Sequence, residues 1–181
     1  MPPRAVVARA RKIRLLVMDV DGVLTDGRMF LSERGAELKA FHTHDGLAVA
    51  LARRAGLRTA MVTGESSPIA KVRGARLGVD SVVLGARRKG ETVEALRAKY
   101  DLPAGAVAYI GDDLLDIPAM QLAGLAVAVA DARAPVKAVA HVVTRAKGGQ
   151  GAVRECVELL LRAQRSWQRV VAAYVREHGG R

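Results

Sequence analysis

The stretch Ile13-Arg14-Leu15-Leu16-Val17-Met18-Asp19-Val20-Asp21-Gly22-Val23-Leu24-Thr25-Asp26-Gly27 decides the fold. Its first six residues are a nearly continuous apolar run, the pattern of a strand buried on both faces of a parallel sheet. Two carboxylates and a glycine turn then close it. Open α/β sheets bind ligands at the carboxyl ends of their strands, so Asp19 and Asp21 stand where chemistry is expected.

Further apolar runs follow at Arg58–Val62, Ser81–Leu84, Val107–Ile110 and Leu125–Val129, with helical periodicity between them. This βαβ alternation predicts a doubly wound, Rossmann-like α/β fold with a parallel sheet and helices on both faces. Asp45 is expected to cap a helix through Ala55, and Ser67-Pro68 to open one that ends near Gly78. Others are predicted at Lys89–Tyr100, from about Leu114 to Ala123, and from Ala152 to about Glu177, the longest. Arg28–Leu31 and Glu37–Phe41 flank Ser32-Glu33-Arg34-Gly35 and read as a small β-hairpin flap beside the acidic turn. No insertion is large enough to form a cap domain, and no linker divides the chain, so residues 1–181 read as one domain.

Half of the residues are hydrophobic but only 3% are aromatic, which suits an Ala, Val and Leu core under helices. The net charge of +11 sits mostly at the ends: residues 1–14 hold five basic side chains and no acid, and residues 162–181 five basic and one acid. Solvated, peripheral extensions (1–12 and 163–181) explain it, and without an aromatic-interleaved basic stripe no nucleic-acid partner is expected. Cys156 lies on the apolar face of a helix, where it is a core residue. The start lacks the roughly 7–15-residue apolar stretch of a signal peptide and no run can span a bilayer, so a cytoplasmic location without membrane contact is expected.

Four elements follow successive strands: Asp19 and Asp21, then Thr63-Gly64, then Lys89, then Gly111-Asp112-Asp113. Parallel strands bring those ends together. Three carboxylates without histidine or cysteine form a hard oxygen site for magnesium, and magnesium suits phosphate. A carboxylate such as Asp19 can attack phosphorus if cations, here magnesium and Lys89, offset the repulsion. Thr63 and turn amides can hold phosphoryl oxygens, and Asp21 can serve as acid and then base. Asp26 reads as a turn residue, and Asp113 and Asp116 as equally suited to a helix start. His42 and His44 share one face of an extended segment, but no third soft ligand supports a zinc site.

These motifs, in this order, resemble the haloacid dehalogenase-like phosphatases. Asp-Gly-Val-Leu-Thr-Asp-Gly, Leu-Lys-Ala-Phe-His-Thr-His-Asp-Gly, Gly-Asp-Asp-Leu-Leu-Asp-Ile-Pro-Ala-Met and Gly-Gly-Gln-Gly-Ala-Val-Arg-Glu are similar to its capless branch of sugar-acid phosphatases over about Ile13–Leu161. The resemblance implies hydrolysis of an eight-carbon octulosonate 8-phosphate used for lipopolysaccharide. It makes Asp19 the nucleophile and Asp21 the acid/base, with Asp19, the Asp21 carbonyl and Asp112 on magnesium and Thr63 and Lys89 on the phosphoryl group. It also implies a homotetramer whose neighbours supply the lid, with His42, Thr43, His44, Asp45, Gly46, Arg73 and Lys89 lining the substrate site. The hairpin and the Gly148–Gly151 tail with Arg154 would take part across subunits. One position departs: Glu65 stands where octulosonate phosphatases commonly carry Arg, and Glu65 with Arg76 eleven residues on resembles phosphatases of nine-carbon ulosonate 9-phosphates. A phospho-accepting receiver switch is the different-class alternative, disfavoured because Asp21 beside Asp19 can assist turnover. A P-loop ATPase is excluded by its missing motif.

Overall fold

The computed structural model describes residues 2–180. In chain order its elements are α1 (Arg4–Ala10), β1 (Leu15–Met18), β2 (Phe30–Leu31), β3 (Glu37–Leu38), α2 (Thr43–Arg54), β4 (Arg58–Val62), α3 (Pro68–Leu77), β5 (Ser81–Val83), α4 (Lys89–Lys99), β6 (Val107–Gly111), α5 (Ile117–Leu122), β7 (Leu125–Ala128), α6 (Ala134–Val139), β8 (Val142–Val143), α7 (Ala152–Ala163) and α8 (Trp167–Glu177). Six strands pair in the order β5-β4-β1-β6-β7-β8, every pair parallel. The chain winds outward from β1 to β5 and then crosses back to β6. The strand order therefore reverses beside β1, the switch point where such sheets open a crevice.

β1 lies in the middle of this sheet and all four of its residues are buried, as its unbroken apolar run requires. Met18 pairs with Met61 on one side and Ile110 on the other, so Asp19, Thr63 and Gly111 leave the sheet at the same end. On one face α2 packs against α7 and α8, and α1 against α7; on the other, α4 packs against α5. α7 buries Ala152, Val153, Cys156, Val157, Leu160 and Leu161, an i, i+3, i+4 stripe. β2 and β3 pair antiparallel, Phe30 with Leu38 and Leu31 with Glu37, as the flap predicted from sequence.

Three local expectations change, and two short elements are added. The C-terminal helix is two helices: Ser166 N–H bonds the Leu161 carbonyl and Arg165 N–H that of Arg162, a helix-ending motif with Arg165 at φ +58°. Gln164 in this break donates to the carbonyls of Ala10 and Ile13, fastening the corner to the start of the sheet. The basic N-terminal stretch, expected as a solvated peripheral extension, forms α1, which buries Val6 and Ala10. Asp45 does not cap its own helix; His42 Nδ1 accepts from His44 N–H there. Asp45 Oδ2 and Oδ1 instead accept from Gly151 and Arg154 N–H, 3.2 and 2.8 Å away, capping α7 from a neighbouring helix. α6 and β8, of six and two residues, are too short to show a period in the sequence.

Candidate active site

The turn after β1 is built around two groups. The Val20 carbonyl accepts from the N–H of Val23, Leu24 and Thr25, while the fully buried Thr25 hydroxyl accepts from Gly22 and Gly27 N–H. Gly22 sits at φ +91°, and a Cβ there would lie 2.1 Å from Asp112 Oδ2, so only glycine lets the two loops meet. Gly149 N–H bonds the Val23 carbonyl, and a Cβ on Gly148 would meet the Gly22 carbonyl oxygen at 1.7 Å. The glycine tail expected to work across subunits thus packs against this chain's own acidic turn.

Asp19 is 5% exposed and its Oδ1 accepts from Lys89 Nζ at 2.6 Å. The same ammonium donates to Asp116 Oδ1 at 2.6 Å, which also accepts from the Tyr109 hydroxyl at 2.7 Å. Asp116 Oδ2 takes the N–H groups of Asp112 and Asp113, at 2.9 and 3.2 Å. Both oxygens of Asp116 are therefore filled, and it fixes Lys89 and the Asp112 loop. Burial would lower the Lys89 ammonium, but the charges of Asp19 and Asp116 outweigh it and hold Lys89 above its ordinary value. Burial first, then the Asp116 charge, pushes Asp19 well up, with Lys89 pulling the other way. Burial and Asp116 likewise push Asp112 up to about 7.

Asp21 belongs to a separate pair of partners. Its Oδ1 accepts from Lys39 Nζ at 2.5 Å, and its Oδ2 from Thr63 Oγ1 at 3.1 Å. Thr63 Oγ1 in turn accepts from Glu65 N–H at 3.0 Å. Asp19, Asp21, Thr63, Lys89 and Asp112 line one open cleft of about 470 Å³, with Glu65 and Arg133 at its sides. That volume suits a small molecule.

Other expected contacts gather elsewhere in this chain. His42 and His44 meet edge to face with ring centroids 4.8 Å apart at the start of α2. Thr43 is the first residue of that helix. Arg73 lies 5.2 Å from the centre of the Phe41 ring, and a Cβ on Gly46 would meet its Nη2 at 2.7 Å. Arg154 pairs with Glu158 and packs 5.1 Å over Trp167, while Arg76 is exposed on α3. None of these eight residues, His42–Gly46, Arg73, Arg76 and Arg154, lines the Asp19 cleft. Sequence reasoning missed the parts played by Lys39 and Thr25 and the presence of Arg133 in the cleft lining, and left Asp116 undecided. Asp116 had a signal, standing one helical turn after Asp112; Lys39 lay inside the Leu38–Gly46 motif, but nothing there tied it to Asp21, to which only the flap's course brings it.

The cleft's acids fit a hard cation. Asp19, Asp112 and Asp116 are the one group of three ligand-type side chains within 4.8 Å of one another among the described residues. Asp112 Oδ1 is buried and has no hydrogen-bond partner, a costly state that a cation relieves. With Asp116 saturated, Asp19 and Asp112 are the side chains left to bind it. A nucleophilic carboxylate beside a fixed ammonium and a second, separately held carboxyl group two residues on can transfer a phosphoryl group and handle the proton.

Residues 80–155 match the model of the haloacid dehalogenase-like hydrolases. The 3-deoxy-D-manno-octulosonate 8-phosphate phosphatase KdsC of Escherichia coli K12 is 43% identical over 159 residues, 88% of this chain and 85% of that one. Among solved structures, the enzyme of that name from Yersinia pestis superposes with a TM-score of 0.89 at 41% identity, covering 91% of this chain and 89% of its own. The Moraxella catarrhalis one, in complex with magnesium, phosphate and a KDO molecule, gives 0.91 at 36% identity, covering 93% and 97%. Fold, cleft and sequence agree: the chain belongs to the haloacid dehalogenase-like phosphatases, in the family of the 3-deoxy-D-manno-octulosonate 8-phosphate phosphatases.

Proposed function

We propose that this chain, working as a single domain, hydrolyses 3-deoxy-D-manno-octulosonate 8-phosphate to the free sugar acid and inorganic phosphate. The observation that carries the reading is the division of labour in the cleft. Asp19 lies on Lys89 while Asp21, two residues on, is held apart by Lys39 and Thr63. The identity to KdsC and the likeness to a relative solved with magnesium, phosphate and KDO support this substrate.

In the first step an Asp19 oxygen bonds to phosphorus as the bond from phosphorus to the sugar oxygen breaks, and Asp21 gives its proton to that leaving oxygen. In the second, water attacks the aspartyl-phosphate, Asp21 takes the water's proton, and phosphate leaves. Lys89 keeps a fixed positive charge against the reacting oxygens, and the Thr63 hydroxyl, which bonds Asp21 here, would turn to donate to a phosphoryl oxygen. Magnesium, held by the Asp19 and Asp112 carboxylates and the Asp21 carbonyl, would neutralise charge on the phosphoryl group.

Glu65 favours a second reading, a nine-carbon ulosonate 9-phosphate. It lines the cleft, where an acid accepts from sugar hydroxyls rather than gripping a carboxylate. Arg76, its expected companion, lies outside the cleft lining. We further propose a cytoplasmic homotetramer serving lipopolysaccharide synthesis; the apolar rim of the flap, Phe30, Leu31 and Leu38, supports burial against another copy. Among the described residues no helix is long and apolar enough to cross a membrane. The test is phosphate release from the eight-carbon substrate with magnesium. Release should stop on chelation and in Asp19→Asn; a D19N variant that still turns over would remove Asp19 as nucleophile.

A further inference from the structure

Just past the second strand of the flap, a lysine buries its side chain. Period-two alternation through β3 and the residue after it points Leu38 outward, 71% exposed, and turns Lys39 inward to Asp21, where its side chain is only 2% exposed. A buried ammonium is costly unless it is paired. Lys39 is paired twice, with Asp21 Oδ1 at 2.5 Å and with Glu37 Oε1 at 3.1 Å. Thr63 occupies the other oxygen of Asp21. The Asp21 carboxyl group is thus gripped at one oxygen by the flap and at the other by the end of β4.

We propose that Lys39 is a positioning residue for protonation of the leaving group. It ties the flap to Asp21 and holds the carboxyl group in the orientation from which its proton reaches the departing sugar oxygen. The inference rests on the phosphatase reading above, in which Asp21 loses its proton to that oxygen as the oxygen–phosphorus bond breaks and the Asp19–phosphorus bond forms. Lys39 makes no bond to the substrate in this role. A sugar alkoxide is a poor leaving group and needs the proton, whereas p-nitrophenolate leaves without one. Lys39 should therefore matter to one substrate class and not to the other, which a merely structural lysine would not do.

The test compares kcat/KM, which reports the step that expels the leaving group, for the ulosonate phosphate and for p-nitrophenyl phosphate. In Lys39→Met the ratio of the two should fall about tenfold or more, and Lys39→Arg should restore most of it. Glu37→Gln, which keeps the Lys39–Asp21 contact, should leave the ratio unchanged. In an Asp21→Asn background, adding Lys39→Met should change the ratio no further. If Lys39→Met does not fold, Lys39→Gln carries the same comparison. An equal loss on both substrates, no loss on either, or an additive loss in the Asp21→Asn background would overturn the proposal. A wild-type chain releasing phosphate from neither compound would instead remove the phosphatase reading, and this inference with it.

Discussion

Asp116 shows how much one saturated side chain can hold in place. It receives Lys89, the Tyr109 hydroxyl and two loop N–H groups, so its loss leaves three donors unpaired and a buried cation with Asp19 as its one remaining carboxylate. Asp116→Ala should destabilise the fold by about 3–5 kcal/mol, read from urea unfolding; a loss under about 1 kcal/mol would contradict this role. Cys156 is the opposite case, a polar-looking residue without chemistry. Burial, then the Glu155 charge, pushes its thiol up to about 12, so at neutral pH the native protein should not react with an aromatic disulfide reagent until it unfolds. Prompt labelling of the folded protein would refute that. At this scale the sequence shows Asp19, Lys89 and Asp112 through their places after strands. It cannot show Lys39, whose partner is 18 residues away around a hairpin, or Thr25, whose work is done on backbone N–H groups.

Among the elements, the acidic turn and the glycine tail form one unit. A Cβ on Gly148 would meet a carbonyl oxygen of the turn, and backbone cannot rotate aside as a side chain can. Gly148→Ala should therefore lower both stability, by about 1–3 kcal/mol, and turnover. Gly105→Ala, with nothing within 4 Å of the added carbon, should cost within about 0.5 kcal/mol. Equal effects of the two in thermal unfolding and phosphate release would break the argument. The long strands and amphipathic helices are legible because burial on two faces or on one stripe writes a period into the chain. The break between α7 and α8 is not, since an arginine rather than a glycine takes the left-handed position, at roughly 1–2 kcal/mol, with Gln164 bonded to α1 in compensation. Asp45 was misplaced for a related reason: its position before a helical pattern marks it as a cap but not of which helix.

In the whole molecule, charge links stability, metal and pH. Asp112, raised to about 7, keeps in the folded state a proton that the unfolded chain gives up above about 4. The folded form binds more protons in that window, so this group's contribution to stability is present at acid pH and is lost as pH rises toward 7. A divalent cation needs the deprotonated carboxylate, so the rise in Tm on adding magnesium should be larger near pH 8 than near pH 5.5. Equal rises would contradict Asp112 as a ligand. The parallel sheet and the meeting of four strand ends were legible from alternation alone, whereas the strand order came only with the structure. That His42, Arg73 and Arg154 stand outside the cleft of their own chain was not legible, because alternation carries no information on where these side chains lie relative to the strand ends. The most direct test of the whole account is kcat/KM for the eight-carbon and nine-carbon ulosonate phosphates, measured side by side with magnesium on the wild-type protein. The account predicts the higher value for 3-deoxy-D-manno-octulosonate 8-phosphate, whereas preference for the nine-carbon compound, or equally feeble rates on both, would contradict it.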